Sequence, residues 1–160
     1  MITIVTGKIN SGKTRYLQNL YENTPKGDGF ITLKHFEKDP IIRDETFLGY
    51  NIFHLKTGTT VPFIRIRSHF PAGWNEIFKF GIYSFSREGF EFAKIIYQNI
   101  EEEPFFIDEV GPLEIELNSG FYEIIKQNIN KELIITIRTH LYEEFLKTFP
   151  IEQKINKIIL

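Results

Sequence analysis

The sequence predicts an α/β fold, a mostly parallel sheet with helices on both faces and an antiparallel β-hairpin insert. Three observations lead there. Short apolar runs alternate with stretches of helical spacing along most of the chain, the pattern of strand–helix–strand units. A glycine-bounded segment, Gly7-Lys8-Ile9-Asn10-Ser11-Gly12-Lys13-Thr14, stands between an apolar run and a helical pattern, the place where such sheets carry phosphate-binding loops. Between residues 49 and 67, two β-rich runs are joined by a loop too short for a helical crossover, so that part is antiparallel.

Bulk properties set the outer limits. A chain of 160 residues with 42 % hydrophobic content holds one ordinary core, and residues 1–160 are expected to form a single domain. The net charge of −2 and the pI near 6.1 predict no nucleic-acid partner through bulk electrostatics. Cysteine is absent, which excludes a disulfide framework and thiolate metal sites. No apolar run approaches the roughly 18 residues of a membrane span. The first strand begins at Ile2 and runs straight into the phosphate loop, leaving no room for a cleavable signal, so the expected location is cytoplasmic. The 16 Phe and 7 Tyr are spread along the chain and are expected to be mostly core. No linker, internal repeat or protein partner is indicated.

Ile2, Ile4 and Val5 supply the first strand, and residues 14–23 the first helix, free of glycine and proline with Leu17, Leu20 and Tyr21 at helical spacing. The segment between fits G-x-x-x-x-G-K-[ST], the Walker A pattern. Its glycines let successive N–H groups turn inward as a nest for phosphate oxygens. The following helix directs its positive end to the same place. Gly7, Lys8, Ile9, Asn10, Ser11, Gly12, Lys13, Thr14 and Arg15 are thus the candidate triphosphate-binding residues. Lys13 is expected to face solvent and reach the outer phosphates, and the Thr14 hydroxyl to ligate Mg²⁺.

Residues 24–29 form a turn cluster, and residues 30–33 read as a second buried strand with Lys34 and His35 at its C-terminal end. From 36 to 46 the pattern is irregular, with a break at Asp39-Pro40. Residues 49–55 and 61–67 make the hairpin around a loop of about five residues. On its second strand Ile64 and Ile66 share one face, and Phe63, Arg65 and Arg67 the other. Residues 78–85 read as one strand with Gly81 as a weak point. Ser86 then caps a helix in which Phe90, Ala93, Ile96, Tyr97 and Ile100 recur at spacings of three and four. Glu101-Glu102-Glu103 reads as solvated surface rather than a metal site. Residues 105–107 are an all-apolar strand, followed by a helix over 119–130, a strand over 133–137, a helix to about 149 and a last strand over 154–160. Ligands bind such sheets at the C-terminal rim of the strands. Four segments should meet there: the Walker A loop, Lys34-His35, Asp108-Glu109 and Arg138-Thr139-His140.

An apolar strand ending in an acid, about a hundred residues after a Walker A loop, reads as Walker B. Asp108 would hold Mg²⁺, directly or through a water, opposite Thr14. Glu109 would orient the attacking water or accept its proton; the alternative is that Asp108 caps a turn and Glu109 is merely exposed. In this order Gly7 to Thr14, Gly29-Phe30-Ile31-Thr32, Leu55-Lys56-Thr57-Gly58 and Ile107-Asp108-Glu109-Val110-Gly111-Pro112-Leu113-Glu114 resemble the small P-loop nucleoside-triphosphatases, the thermophile-type nucleoside-triphosphatase or nucleotide kinase family. The resemblance spans nearly the whole chain, and its most specific part is the Asp-Glu-x-Gly-x-x-Glu run. It implies a RecA-like P-loop NTPase fold with an extra strand between the Walker A and Walker B strands. It also implies that Glu109 is catalytic and that several nucleoside triphosphates are slowly hydrolysed with Mg²⁺. In-line attack by water needs charge neutralisation, which makes Lys13 the second catalytic candidate, with ATP and GTP among the expected substrates. Arg138-Thr139-His140 matches no part of the family pattern, so no role is carried to it. The chain stops at Leu160, sooner than many relatives, so base contacts from a longer tail are not expected.

Three functions fit these residues: a hydrolase, a kinase passing the γ-phosphoryl to a small acceptor, and a nucleotide-binding switch. A dedicated base weighs against the switch. The kinase needs an acceptor pocket and arginines, for which Arg65, Arg67 and Arg138 are candidates, with solubilising or ion-pairing roles as their alternatives. His140 is read as part of a helix start, Trp74 as hairpin packing, and His35, His54 and His69 show no metal-ligand spacing. Base preference is not written in any motif.

Overall fold

Strand β1 (Ile2–Gly7), with Ile2, Ile4 and Val5, is buried along its whole length, so it has to lie inside a sheet covered on both faces. The computed structural model describes residues 1–38, 41, 44–66 and 70–160, and the Asp39-Pro40 break, Arg67 and His69 lie outside the described residues. After β1 come α1 (Lys13–Asn23), β2 (Asp28–Lys38), β3 (Glu45–His54), β4 (Thr60–Ile66), β5 (Glu76–Phe80), β6 (Tyr83–Ser86) and α2 (Arg87–Gln98). Then follow β7 (Phe105–Val110), α3 (Pro112–Ile115), α4 (Tyr122–Asn128), β8 (Leu133–Arg138), a 3-10 turn (Thr139–Leu141), α5 (Tyr142–Thr148) and β9 (Ile155–Ile159).

The strands form a sheet in the order β5-β6-β4-β3-β2-β7-β8-β1-β9. From β2 to β9 neighbours are parallel, and from β2 to β5 they are antiparallel. The α/β class, the mostly parallel core and the helices on both faces are as expected. Strand β8 separates β1 from β7, as the resemblance implied. Helix α1 covers one face, where Leu17 packs with Val5, Ile31, Phe106 and Ile134. The other face carries the larger core, in which α2, α4 and α5 supply Ala93, Ile125 and Phe145 against Ile4, Phe30 and Ile135.

The insert is larger than the single hairpin expected. Strand β2 continues through residues read as irregular, so Lys34 lies mid-strand, and β3 begins at Glu45. Beyond the parallel core these two strands form a solvated ribbon, held by Phe36 against Phe47 with ring centroids 5.7 Å apart and by Lys38–Glu45 at 3.8 Å. A ribbon outside the core needs few apolar side chains, which is why its sequence reads as polar loop. The expected strand over 78–85 is a second hairpin that turns at Gly81, where φ is 58° and glycine carries no steric penalty. The short helix α3 was not anticipated, and α4 is shorter than the helix expected over 119–130.

Phe63 welds this insert to the core. Its ring meets Phe85, Phe90 and Phe121 at centroid distances of 4.9–5.6 Å; such pairs contribute about 0.5–1.5 kcal/mol each beyond area burial. Ser86 caps α2 as expected, its Oγ accepting the Gly89 N–H at 3.0 Å. Among the described residues no helix is long and apolar enough to cross a membrane.

Candidate functional site

The chain leaves β1 into a loop that only certain residues can follow. Gly12 has φ 96° and Asn10 φ 63°, left-handed conformations that glycine adopts freely and asparagine more readily than most. A Cβ on Gly7 would run into Ser11 Oγ and come within 2.8 Å of the Leu160 carbonyl oxygen, so the close approach of the residue after β9 also selects glycine. Lys13 opens α1 and departs from expectation: it is buried, with 6 % exposure, and does not face solvent. Its Nζ donates to the carbonyls of Gly7 at 3.2 Å and Lys8 at 2.8 Å, so the loop's own oxygens hold the ammonium within it. Ser11 Oγ is shielded from solvent without a hydrogen-bond partner, a hydroxyl available to a phosphate oxygen.

The second half of the site is made by a bulge. Ile107 pairs with Ile135 and Val110 with Ile137, so Asp108 and Glu109 together stand opposite one residue, Thr136. Glu109 takes φ 58°, a left-handed conformation unusual for glutamate. Thr136 Oγ1 serves both members of the bulge, accepting the Glu109 N–H at 2.8 Å and donating to Asp108 Oδ1 at 2.6 Å. Asp108 is fully buried, and its Oδ2 accepts from Thr14 Oγ1 at 2.7 Å and from the Thr32 N–H and Oγ1, both at 3.0 Å. A buried carboxylate with this many donors is held in one orientation.

These parts meet at a cavity of about 560 Å³ on the C-terminal rim of the parallel strands, lined by residues 9–15 of the loop and helix start together with Thr32, Lys34, Tyr50, Glu109 and Arg138. Lys34 Nζ donates to Asn10 Oδ1 at 2.8 Å, tying β2 to the loop. Arg138 pairs in register with Gly7, which brings its side chain to the same rim. Burial and the adjacent Asp108 carboxylate raise the Glu109 carboxyl above its ordinary range, while Arg138, Lys13 and Lys34 pull it back down. Thr14 and Asp108 are hard oxygen donors in contact, a set suited to Mg²⁺ and not to a softer metal. Asp108 Oδ2 already accepts three hydrogen bonds, so the donor set fits contact through a metal-bound water better than direct ligation.

Of the expected site residues, Ile9 through Arg15, Glu109 and Arg138 line the cavity, while Gly7 and Lys8 contribute carbonyls to Lys13. Asp108 sits beneath Thr14. His35, Thr139 and His140 do not join them; His35 approaches Glu37 at 3.4 Å on the surface, and Thr139 and His140 open the 3-10 turn. Arg65 is buried at 3 % exposure, not solubilising: it donates to the Tyr50 and Ile64 carbonyls and to Asn51 Oδ1, with Trp74 5.9 Å from its guanidinium. Trp74 packs in the hairpin region and donates to Ser84 Oγ at 2.9 Å. Sequence reading missed Thr136 and Tyr50, and it quoted Thr32 and Glu114 within the family pattern without giving either a role. Thr32 and Thr136 carried a signal, since each is a lone hydroxyl inside a short apolar run, 30–33 and 133–137. Glu114 is 3 % exposed and accepts the Gly111 and Phe121 N–H groups at 2.9 and 3.0 Å, fixing the turn after the bulge.

A family model described as NTPase matches residues 2–159. No curated protein shows significant similarity to the chain. Among solved structures, the solution structure of a human cancer-related nucleoside triphosphatase is similar with a TM-score of 0.63. It is 22 % identical, over 99 % of this chain and 87 % of that one, and at this identity the likeness speaks for the fold.

Proposed function

This chain belongs to the NTPase family, an assignment that carries nucleoside-triphosphate hydrolysis with it, and from that premise we propose that the reaction runs in the rim cavity with Mg²⁺ beside Thr14 and Glu109 acting on the attacking water. The observation that carries this reading is the Thr14 Oγ1–Asp108 Oδ2 contact at 2.7 Å, with the next residue, Glu109, turned by the bulge into the same cavity. Loop N–H groups and the Ser11 hydroxyl bind the phosphate oxygens. Lys13 exchanges the Gly7 and Lys8 carbonyls for the outer phosphates, an ammonium kept at the site without a solvent shell to shed. Thr14 would hold Mg²⁺ directly and Asp108 through a water; the ion, when bound, neutralises charge across the β- and γ-phosphates. Glu109 orients water in line with the γ-phosphorus and takes its proton as the diphosphate leaves. Its raised carboxyl makes it a better proton acceptor than an exposed glutamate. Arg138, at the end of the neighbouring strand β8 and lining the same cavity, would offset charge developing on the γ-phosphoryl group. Several bases are expected as substrates, residues 1–160 are read as one P-loop domain, and a cytoplasmic location goes with this reading.

The test is Glu109→Gln, which keeps size and a hydrogen-bonding carbonyl but removes basicity. Single-turnover hydrolysis should fall by about 10²–10⁴, the usual contribution of a positioned general base. Triphosphate affinity should hold or tighten, because the loop is intact and one negative charge is gone. Unchanged rate with unchanged affinity would remove Glu109 from the mechanism. The wild-type chain in excess chelator should release no phosphate, and full activity there would remove the metal.

A further inference from the structure

Behind Glu109 lies a second cavity of about 150 Å³. It begins where the phosphate cavity ends, because Tyr50, Glu109 and Arg138 line both. The rest of its wall is largely aromatic: Phe63, Phe80, Tyr83, Phe85 and Phe121. Tyr50, Tyr83 and Phe85 are only half-buried and Phe80 is 45 % exposed, so these rings keep faces unclaimed by the core. An apolar cavity of roughly this volume admits one six-membered aromatic ring. Glu109 and Arg138 stand at the wall shared with the phosphate cavity, and the other carboxylate in the lining, Glu114, already has its two oxygens taken by the Gly111 and Phe121 N–H groups. A ligand here would therefore have a ring at one end and a polar group at the other, held toward the γ-phosphoryl position. Hydrolysis by water calls for no such cavity.

We propose that this aromatic cavity binds a one-ring aromatic alcohol whose hydroxyl accepts the γ-phosphoryl group from the triphosphate next door. The proposal rests on the triphosphate site described above. The alcohol oxygen forms a bond to the γ-phosphorus, and the bond from that phosphorus to the β,γ-bridging oxygen breaks, its electron pair leaving on the nucleoside diphosphate. The alcohol proton passes to the Glu109 carboxylate and then to solvent. The products are a phosphomonoester and the diphosphate, and water takes the alcohol's place when the cavity holds no ring.

Benzyl alcohol and 3-(hydroxymethyl)pyridine serve as probes with the full chain. Saturation-transfer NMR reads ring binding without any need for turnover, and ³¹P NMR with ATP and Mg²⁺ separates phosphomonoester from inorganic phosphate. Ring binding is expected, together with ester formation. Phe80→Ala removes a wall at the exposed mouth, and Tyr83→Trp fills the cavity from a half-buried position. Each should weaken ring binding by about tenfold, the scale of one or two aromatic contacts, and lower the ratio of ester to phosphate. No ring binding at millimolar probe, or binding that both variants leave unchanged, overturns the proposal. Binding without ester overturns the acceptor role. Phosphate release without ester leaves the hydrolase standing alone, whereas no release in any condition counts against the hydrolase as well.

Discussion

Single side chains set the chemistry, and Thr136 is the one whose influence is widest for its size. One hydroxyl joins Asp108 Oδ1 to the Glu109 N–H, so it fixes both members of the bulge at once. Thr136→Val keeps shape and β-branching but leaves a buried carboxylate oxygen and an N–H short of a partner, at a cost of about 1–3 kcal/mol. Turnover should drop while triphosphate affinity holds, and urea denaturation with kcat and Kd on the same variant checks both. Lys13 carries the opposite expectation. Lys13→Ala should weaken triphosphate binding by about 10- to 100-fold, as the loss of charge-assisted hydrogen bonds would. Because the ammonium also ties down the Gly7 and Lys8 carbonyls, a modest fall in Tm should accompany it. Calorimetric titration and thermal melts read the two effects, and wild-type affinity would remove the phosphate role.

At the scale of elements, the turn between β7 and α4 depends on Glu114. Burial raises its carboxyl to about 7, against the hydrogen bonds from the Phe121 and Gly111 backbones, which favour the charged form. A folded value above the unfolded one means the native chain holds a proton that the unfolded chain has released. Stability from this group is therefore fully present below about pH 4.5 and is lost as the pH rises through about 7. The loss is at most about 3 kcal/mol. Tm should fall across that window, and Glu114→Gln should abolish its share of the slope; an unchanged slope would assign the dependence elsewhere. The β2–β3 ribbon shows a second element-level effect, since its shape follows from cross-strand partners and not from side-chain burial.

For the molecule as a whole, the parallel strands act as one rigid frame, and β8 is its middle. Ile135 is fully buried there, between the strands that carry the loop and the bulge. Ile135→Ala should cost about 2–5 kcal/mol in denaturant unfolding, and a smaller loss would mean that the sheet collapses around the cavity. Much of this frame was legible beforehand. The run at 105–107 is all apolar, and Ile2 to Val5 and the run at 133–137 are apolar but for one threonine each, a pattern that places a strand inside a covered sheet. That the loop residues 9–15 and Glu109 would meet at one rim was legible because the Walker A and Walker B patterns put those residues at the ends of parallel strands. Where backbone geometry is generated locally, sequence was sufficient. The burial of Lys13 and Arg65, the bulge that turns Glu109 into the cavity, and the joining of Tyr50 and Thr136 to the site were decided by tertiary structure. Each depends on partners distant in the chain or on the carbonyls of a curled loop, and a residue's type records neither who its neighbour is nor which way the backbone has turned it.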